Sequence, residues 1–259
     1  MYQSVIETIA ESAAAKSSLF TRSFTGYLIH SAMAGAYVGL GIVLIFVLGA
    51  PLHATQSPFI PLVMGACFGI ALSLVILAGS DLFTGNTMVL PIGAWTGKIQ
   101  WQTVLKLFVF NYLGNFLGSI VLAWMVSEAG IFSSESSAQF LSVVASKKMG
   151  AGFWKLFLRG ILCNWLVVLA VWSCYRLKTE SGKLIMIFWC LLGFIGSGYE
   201  HSVANMTLLT LANFAVPGET VTWAGVARNL IPVTLGNFVS GFLFMGEAYW
   251  WISRPEKLS

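Results

Sequence analysis

The sequence predicts an all-α membrane protein of six transmembrane helices, arranged as an inverted 3+3 repeat in which the second and fifth helices are broken. Three observations carry that prediction. The 259 residues are 57% hydrophobic and only 9% charged, with a mean hydropathy of +0.82, whereas a water-soluble domain needs roughly 25% charged residues. Five apolar stretches are long enough to cross a hydrocarbon core of about 30 Å, which takes roughly 20 helical residues. A four-residue motif and a polar interruption recur in both halves. The 14 Lys and Arg are scattered along the chain, so the formal charge of +4 bears on topology and not on nucleic-acid binding.

Residues 1–22 carry Glu7, Glu11 and Lys16 and lack a continuous apolar stretch; they are expected to form a cytoplasmic amphipathic segment, with the first crossing serving as the export signal. The transmembrane domain spans 23–252, with halves 23–127 and 151–252, a connector 128–150 and a cytoplasmic tail 253–259. The apolar stretches of spanning length are 24–49, 60–80, 103–127, 151–175 and 223–252. The second crossing continues after a break into a half-span over 86–96, because the Gly, Asp, Thr and Asn of 79–87 interrupt a helix. The fifth, over 184–214, is interrupted at Gly196-Ser197-Gly198-Tyr199-Glu200-His201-Ser202. Cys67, Cys163, Cys174 and Cys190 lie in apolar runs without metal or disulfide spacing and are expected to be core thiols.

Loop charges orient this topology, since Lys and Arg accumulate on the cytoplasmic side. Six crossings place both termini together, with Lys16, Arg22, Lys98, Lys106, Arg176, Lys178, Lys183, Arg254 and Lys257, nine of the 14. Both termini are therefore expected in the cytoplasm; the Lys147-Lys148 pair is the exception on the other side. Leu113-Gly114-Asn115-Phe116 recurs 122 residues later as Leu235-Gly236-Asn237-Phe238, and Gly79-Ser80 and Gly196-Ser197 open the two breaks 117 residues apart. Three crossings per half invert the second half. Inverted repeats with discontinuous helices build a midplane site from helix ends and free backbone groups, and irregular backbone survives there only inside protein or along a cavity. The breaks point to a pathway.

His201, in the second break, is the central candidate. An intramembrane histidine faces a cavity or a partner, and an imidazole exchanges a proton near neutrality; the plainer alternative is a ring that ties helices together. Thr84, in the first break, is expected to face it from the opposite half, or else to cap the short helix from 86 onward. Asp81 and Glu200 read as hydrogen-bond acceptors and not as metal ligands; no carboxylate or histidine cluster supports a metal, and no cofactor is expected. Asn115 and Asn237 read as amides bonding neighbours, and Gly114, Gly118, Gly236 and Gly241, with Ala32, Gly35, Gly39 and Gly41, as close-packing positions. Phe68, Leu72, Leu82, Phe83 and Phe194 flank the breaks, where they either constrict a pore or simply pack in the core. Lys148 marks either a cationic vestibule that concentrates anions or a solvated connector. Trp95, Trp101, Tyr249, Trp250 and Trp251 read as interfacial belt residues. The chain has no G-x-S-x-G and no H-E-x-x-H, which argues against a protease and for a protein that is not an enzyme. A second buried histidine, as in an ammonium channel, and paired Asn-Pro-Ala half-helices, as in an aquaporin, are both missing.

The runs Ser31-Ala32-Met33-Ala34-Gly35-Ala36-Tyr37-Val38-Gly39, Asp81-Leu82-Phe83-Thr84-Gly85, Gly198-Tyr199-Glu200-His201-Ser202-Val203-Ala204-Asn205-Met206 and Leu235-Gly236-Asn237 resemble the formate/nitrite transporter family. Pro61-Leu62-Val63-Met64-Gly65-Ala66, Leu162-Cys163-Asn164-Trp165-Leu166-Val167 and Asn205-Met206-Thr207-Leu208 are similar to its nitrite channel branch; Asn86 departs from that branch, where histidine is commoner. The resemblance covers 24–252. It implies an aquaporin-like protomer, a homopentamer with a pore through each subunit, an inner-membrane location and passage of small monovalent weak-acid anions together with protons. By that resemblance His201, Thr84, Asn237, Lys148, Glu200 and Asn205 belong to the substrate pathway, and Phe68, Leu72, Leu82, Phe83, Val167 and Phe194 to its constrictions. Nitrite is the expected anion, with formate, lactate or hydrosulfide as alternatives of the same fold. A water channel and a non-transporting scaffold or sensor are the alternatives of other classes.

Overall fold

The computed structural model describes residues 2–254; Met1 and the tail from 255 onward, Lys257 included, lie outside the described residues. The described residues are helical nearly throughout. In chain order the helices are α1 (Gln3–Arg22), α2 (Phe24–Ala54), α3 (Ile60–Cys67), α4 (Gly69–Leu77), α5 (Phe83–Trp95), α6 (Trp101–Glu128), α7 (Glu135–Met149), α8 (Phe153–Arg176), α9 (Glu180–Gly196), α10 (Ser202–Ala215), α11 (Trp223–Val239), a π-helical segment Ser240–Glu247, and α12 (Ala248–Ile252). Five stretches are long and apolar enough to cross a membrane: Phe24–Ala54, Ile60–Leu77, Trp101–Glu128, Phe153–Arg176 and Trp223–Ile252. Helices α5, α9 and α10 are shorter and border the two breaks, at 78–82 and 197–201.

α5 and the first three turns of α10 are buried on all sides, as helices must be when they end at mid-depth. The long helices instead leave one apolar row exposed, such as Leu105, Val109, Leu113, Leu117 and Val121 along α6. Such a row requires lipid or another apolar surface as its neighbour.

Backbone-to-backbone packing sets where the breaks sit. A Cβ added at Gly35 would fall inside the Asn115 carbonyl, and one at Gly118 inside the Ala32 carbonyl, so α2 and α6 touch main chain to main chain. Gly160 and Gly236 do the same for α8 and α11, each pressed against the other's backbone. The small residues predicted to let helices approach do so. The cysteines are free, two buried and two part-buried.

α1 buries Ile6, Ile9, Ala10 and Ala13 against α5 and α8. The aromatic residues placed at span ends gather beside it: Trp95 contacts Trp101 and Phe242 and stacks on Trp250, and Tyr249 packs on Trp172. Gly118→Val is expected to cost about 3 kcal/mol through overpacking against the Ala32 carbonyl. The measurement is the thermal unfolding midpoint of the detergent-solubilised protein. Gly152→Ala, with nothing within 4 Å of the added carbon, should leave that midpoint unchanged.

Candidate functional site

Each break leaves backbone donors and acceptors at a depth where water is scarce, and a buried asparagine serves each; at the first break Asn111 also donates to the Asp81 carbonyl, at 2.7 Å. Asn115 on α6 accepts from the Phe83 N–H at 2.9 Å and donates to the Ser31 and Asp81 carbonyls at 2.8 and 2.9 Å. Asn237 on α11 accepts from the Ser202 N–H at 2.8 Å and donates to the Gly160 and Glu200 carbonyls at 2.8 and 3.0 Å. The Asp81 N–H donates to the His30 carbonyl and the Glu200 N–H to the Arg159 carbonyl, at 3.3 and 3.2 Å. Both breaks turn through a glycine of positive φ, Gly79 at 74° and Gly198 at 70°, a conformation open to glycine at little cost. These are the matching glycines, 119 residues apart; in the Gly196-Ser197 pair that looks like Gly79-Ser80, Gly196 is the last residue of α9 and Ser197 its C-cap.

The two carboxylates are wired alike as well. Asp81 accepts from Asn86 at 3.0 Å, and Asn86 also donates to Asn111 at 2.7 Å. Glu200 accepts from Asn205 at 2.6 Å, and Asn205 also donates to Asn229 at 2.8 Å. A lysine from outside the spanning helices completes each network: Lys148 of α7 on Glu200 at 2.8 Å, and Lys16 of α1 on Asp81. Burial pulls the Lys16 ammonium toward losing its proton, but the facing carboxylate outweighs that and leaves its pKa above the ordinary lysine value.

Between the breaks, His201 Nε2 and Thr84 Oγ1 lie 3.0 Å apart, both side chains buried. His201 is also the N-cap of α10, its Nδ1 accepting the Ala204 N–H at 3.1 Å. An acceptor Nδ1 puts the single proton of a neutral ring on Nε2, which therefore donates to the threonine hydroxyl. A second proton would sit on Nδ1, against the Ala204 N–H, so the ring must leave its cap to become charged. Thr84 does not cap its own helix: α5 starts at Phe83, and Asn115 takes the first N–H.

Three cavities adjoin around this point. One of about 340 Å³, beside α7, is lined by Lys147, Lys148, Arg159, Glu200, His201 and Asn205 among others. One of about 420 Å³, beside α1, is lined by Lys16, His30, Leu72, Leu82, Asn86 and Lys183 among others. Between them is a gap of only about 10 Å³, bounded by Phe68, Leu72, Leu82, Val167, Phe194 and His201 and sharing walls with both larger cavities. The Phe194 ring stacks parallel to the imidazole at 5.9 Å between centroids.

The structure thus brings together His201, Thr84, Lys148, Glu200 and Asn205, and five of the six expected constriction residues. Phe83 is placed elsewhere, its ring against Phe108 and Tyr112, because Leu82 is extended, with φ −95° and ψ 123°, where neighbouring side chains point to different sides, and Leu82 takes the inward direction. Asn237 is spent wholly on backbone groups. Lys16 went unrecognised in the sequence, although the buried positions Ile6, Ile9 and Ala13 continue at three- and four-residue spacing onto it, and a charge on a buried stripe is a signal. Asn111, Asn164 and Asn229 carried no signal beyond lying in apolar runs. Asn164 donates to the Asn237 carbonyl at 2.6 Å and to Thr87 at 3.0 Å.

The formate/nitrite transporter family's sequence profile matches residues 3–251. The chain belongs to this family. It is 47% identical to a nitrite transporter, NirC, of Escherichia coli over 252 residues, covering 97% of this chain and 92% of the relative. It is 33% identical to a formate channel, BtFdhC, of Bacillus thuringiensis, covering 95% and 93%. The fold matches a solved family ion channel with a TM-score of 0.92 at 46% identity, covering 97% and 99% of the two chains. A pentameric formate channel with formate bound matches with a TM-score of 0.77 at 27% identity, covering 93% and 98%.

Asn237→Ala is expected to strand the Ser202 N–H and two carbonyls and to cost about 3 kcal/mol. Asn115→Ala should cost less, about 2 kcal/mol, because the Asp81 carbonyl keeps its bond from Asn111 at 2.7 Å. Thermal unfolding of the purified protein checks both; Asn213→Ala, whose amide bonds only its own helix at the Leu209 carbonyl, should scarcely move the midpoint.

Proposed function

We propose that this protein is a channel for a small monovalent weak-acid anion, nitrite first, which crosses between the two larger cavities past His201 and Thr84. The observation that carries the reading is the 3.0 Å His201–Thr84 contact at the junction of the cavities. Six crossings in two inverted halves, 23–127 and 151–252, account for the matched wiring of the breaks. The connector 128–150 then places α7 outside, with the α1 mouth and the tail in the cytoplasm of a bacterial inner membrane. The protomer assembles as a homopentamer, in keeping with the pentameric relative and with the exposed apolar rows on the long helices.

The physical problem is desolvation. A bare anion cannot enter a gap of about 10 Å³ walled by Phe68, Leu72, Leu82, Val167 and Phe194 without losing several kcal/mol of hydration. Two solutions exist: protonate the anion, or meet it with an imidazolium. The capped Nδ1 favours the first, because the resting ring is neutral and already holds its proton on Nε2. That proton is not given up, since an imidazolate would be left. Lys148 and its neighbours draw the anion into the mouth, a water-borne proton neutralises it as its surroundings become apolar, and His201 Nε2–H and the Thr84 hydroxyl guide the neutral acid through by hydrogen bonds. Flux then rises as the solution is acidified.

In proteoliposomes loaded for nitrite uptake, His201→Asn is expected to lower the initial rate by about tenfold or more, the value of one strong hydrogen bond at a charged or transferring group. Thr84→Ala should lower it only a few-fold, since the ring keeps its donor. Unchanged flux in His201→Asn at every pH removes the histidine from the mechanism, and wild-type flux no higher than that of empty vesicles removes the channel reading altogether. Competition by formate tests the choice of nitrite.

A further inference from the structure

Away from the pathway, four charged side chains line one groove without meeting one another. The groove, a cavity of about 440 Å³, lies between the first half of α1, the turn joining α5 to α6, and the end of α12. Glu7 and Glu11 come from α1, Lys98 from the turn and Arg254 from just beyond α12, together with Trp250 and the buried Ile6 and Ala10. None of the four charges is in an ion pair among the described residues, where the pairs are Lys16–Asp81, Lys148–Glu200 and Lys183–Glu180.

Glu7 and Glu11 stand four residues apart and so are neighbours on one face of α1, where like charges repel unless a cation sits against them. The other elements hold their cations ready. The Arg254 guanidinium lies 3.6 Å from the centre of the Trp250 ring and 4.5 Å from that of Trp251. Stacking fixes a guanidinium by its flat side and leaves its N–H edge open to an oxyanion. Lys98 is fixed through its main chain, its N–H donating to the Gly93 carbonyl at 2.9 Å after the positive-φ Gly97. The groove is therefore neutral in sum but divided by element, acidic on α1 and basic on the turn and α12. An anion satisfies one part and is repelled by the other; a zwitterion satisfies both.

Its depth names the kind of zwitterion. The last spanning stretch ends at Ile252, and Trp251 and Ile252 are 62% and 58% exposed, so they require an apolar neighbour. Arg254 follows two residues later. Tryptophan and arginine at the end of a span mark headgroup depth. We infer that this groove binds the headgroup of a zwitterionic aminophospholipid, its phosphate on Arg254 and Lys98 and its ammonium on Glu7 and Glu11. A guanidinium holds two phosphate oxygens by parallel N–H bonds, and an ammonium has three donors, enough for both carboxylates. A choline head lacks those donors, and a glycerol head brings no positive charge to the carboxylates. The bound lipid fastens α1 to the α5–α6 turn and to the end of α12, a tie separate from Lys16–Asp81 and from the pathway past His201.

The test titrates the full-length protein in detergent with phosphatidylethanolamine, phosphatidylglycerol and phosphatidylcholine. Native mass spectrometry counts bound lipid while the thermal unfolding midpoint is followed in parallel. Phosphatidylethanolamine should bind several-fold more tightly than the other two and raise the midpoint as it binds. Glu7→Gln combined with Glu11→Gln should remove that preference and turn it toward phosphatidylglycerol. Lys98→Gln combined with Arg254→Gln should weaken phosphatidylethanolamine about tenfold, the value of a lost hydrogen bond to a charged group. All four side chains are exposed, so these variants should fold. A wild type without the preference, or a Glu7 and Glu11 variant that keeps it, overturns the inference. So does a preference that appears only in a chain ending at Arg254, which gives the groove to residues 255–259. Nitrite flux enters none of these measurements, so the channel reading stands or falls apart from them.

Discussion

Unpaired peptide groups at mid-membrane depth are the constraint on which this structure turns. In hydrocarbon each unsatisfied N–H or carbonyl costs several kcal/mol, and the two breaks expose several at once. Asn115 and Asn237 meet that demand with three hydrogen bonds apiece. They reach the breaks only because their helices lie main chain to main chain against α2 and α8, at Gly35 and Gly118 in one half and at Gly160 and Gly236 in the other. Glycine packing, asparagine bridging and broken helices are therefore one device. Its product is a fixed spacing between the starts of α5 and α10, and that spacing puts Thr84 on His201.

The same device places charge. Asp81 and Glu200 hang from the bridged backbone, and each recruits a lysine from a helix outside the spanning set, α1 or α7. Each lysine is thereby pinned at a mouth beside a cavity, and α1 and α7 are tied to the breaks by an ion pair that removing either partner would leave as an unpaired buried charge. The full charges stop there. Between the mouths the walls are apolar apart from the His201 ring, with the Thr84 hydroxyl behind it.

Much of this could be read from residue order, and the limits have physical causes. The spans followed from composition, and the repeat of Leu-Gly-Asn-Phe marked the two asparagines because a motif of four in an apolar chain is hard to produce by chance. The breaks were visible as Gly, Asp and Ser clusters, but their register was not. Gly196-Ser197 copies Gly79-Ser80 in letters, while the residue that turns the chain is Gly198, because the requirement is a positive φ and not a dipeptide. In that register Leu82, not Thr84, corresponds to His201. Thr84 meets the ring from two residues further on, in the first turn of its own helix. Lys16–Asp81, 65 residues apart, and Asn205–Asn229 depend on how separate helices pack, which no local pattern encodes. Phe83 shows the opposite failure: adjacency to the break suggested a role that the direction of its Cβ denies.

The division between charged mouths and a neutral centre has a consequence for selectivity. A pathway conducts only if its deepest site is weak enough to release what it binds. A resting imidazolium between Phe194 and Leu82 would hold a nitrite-sized anion in a low-dielectric gap, where the attraction between opposite charges is many times its value in water. Capture would be strong and escape slow. On the proposed reading His201 avoids this by spending Nδ1 on the α10 backbone and by offering the passing molecule nothing stronger than an N–H beside the Thr84 hydroxyl. On the proposed reading the mouths select for negative charge and the centre selects against it. The species that satisfies both is one that enters as an anion and can take up a proton on the way, and this disfavours chloride-like anions of strong acids without any residue that recognises them.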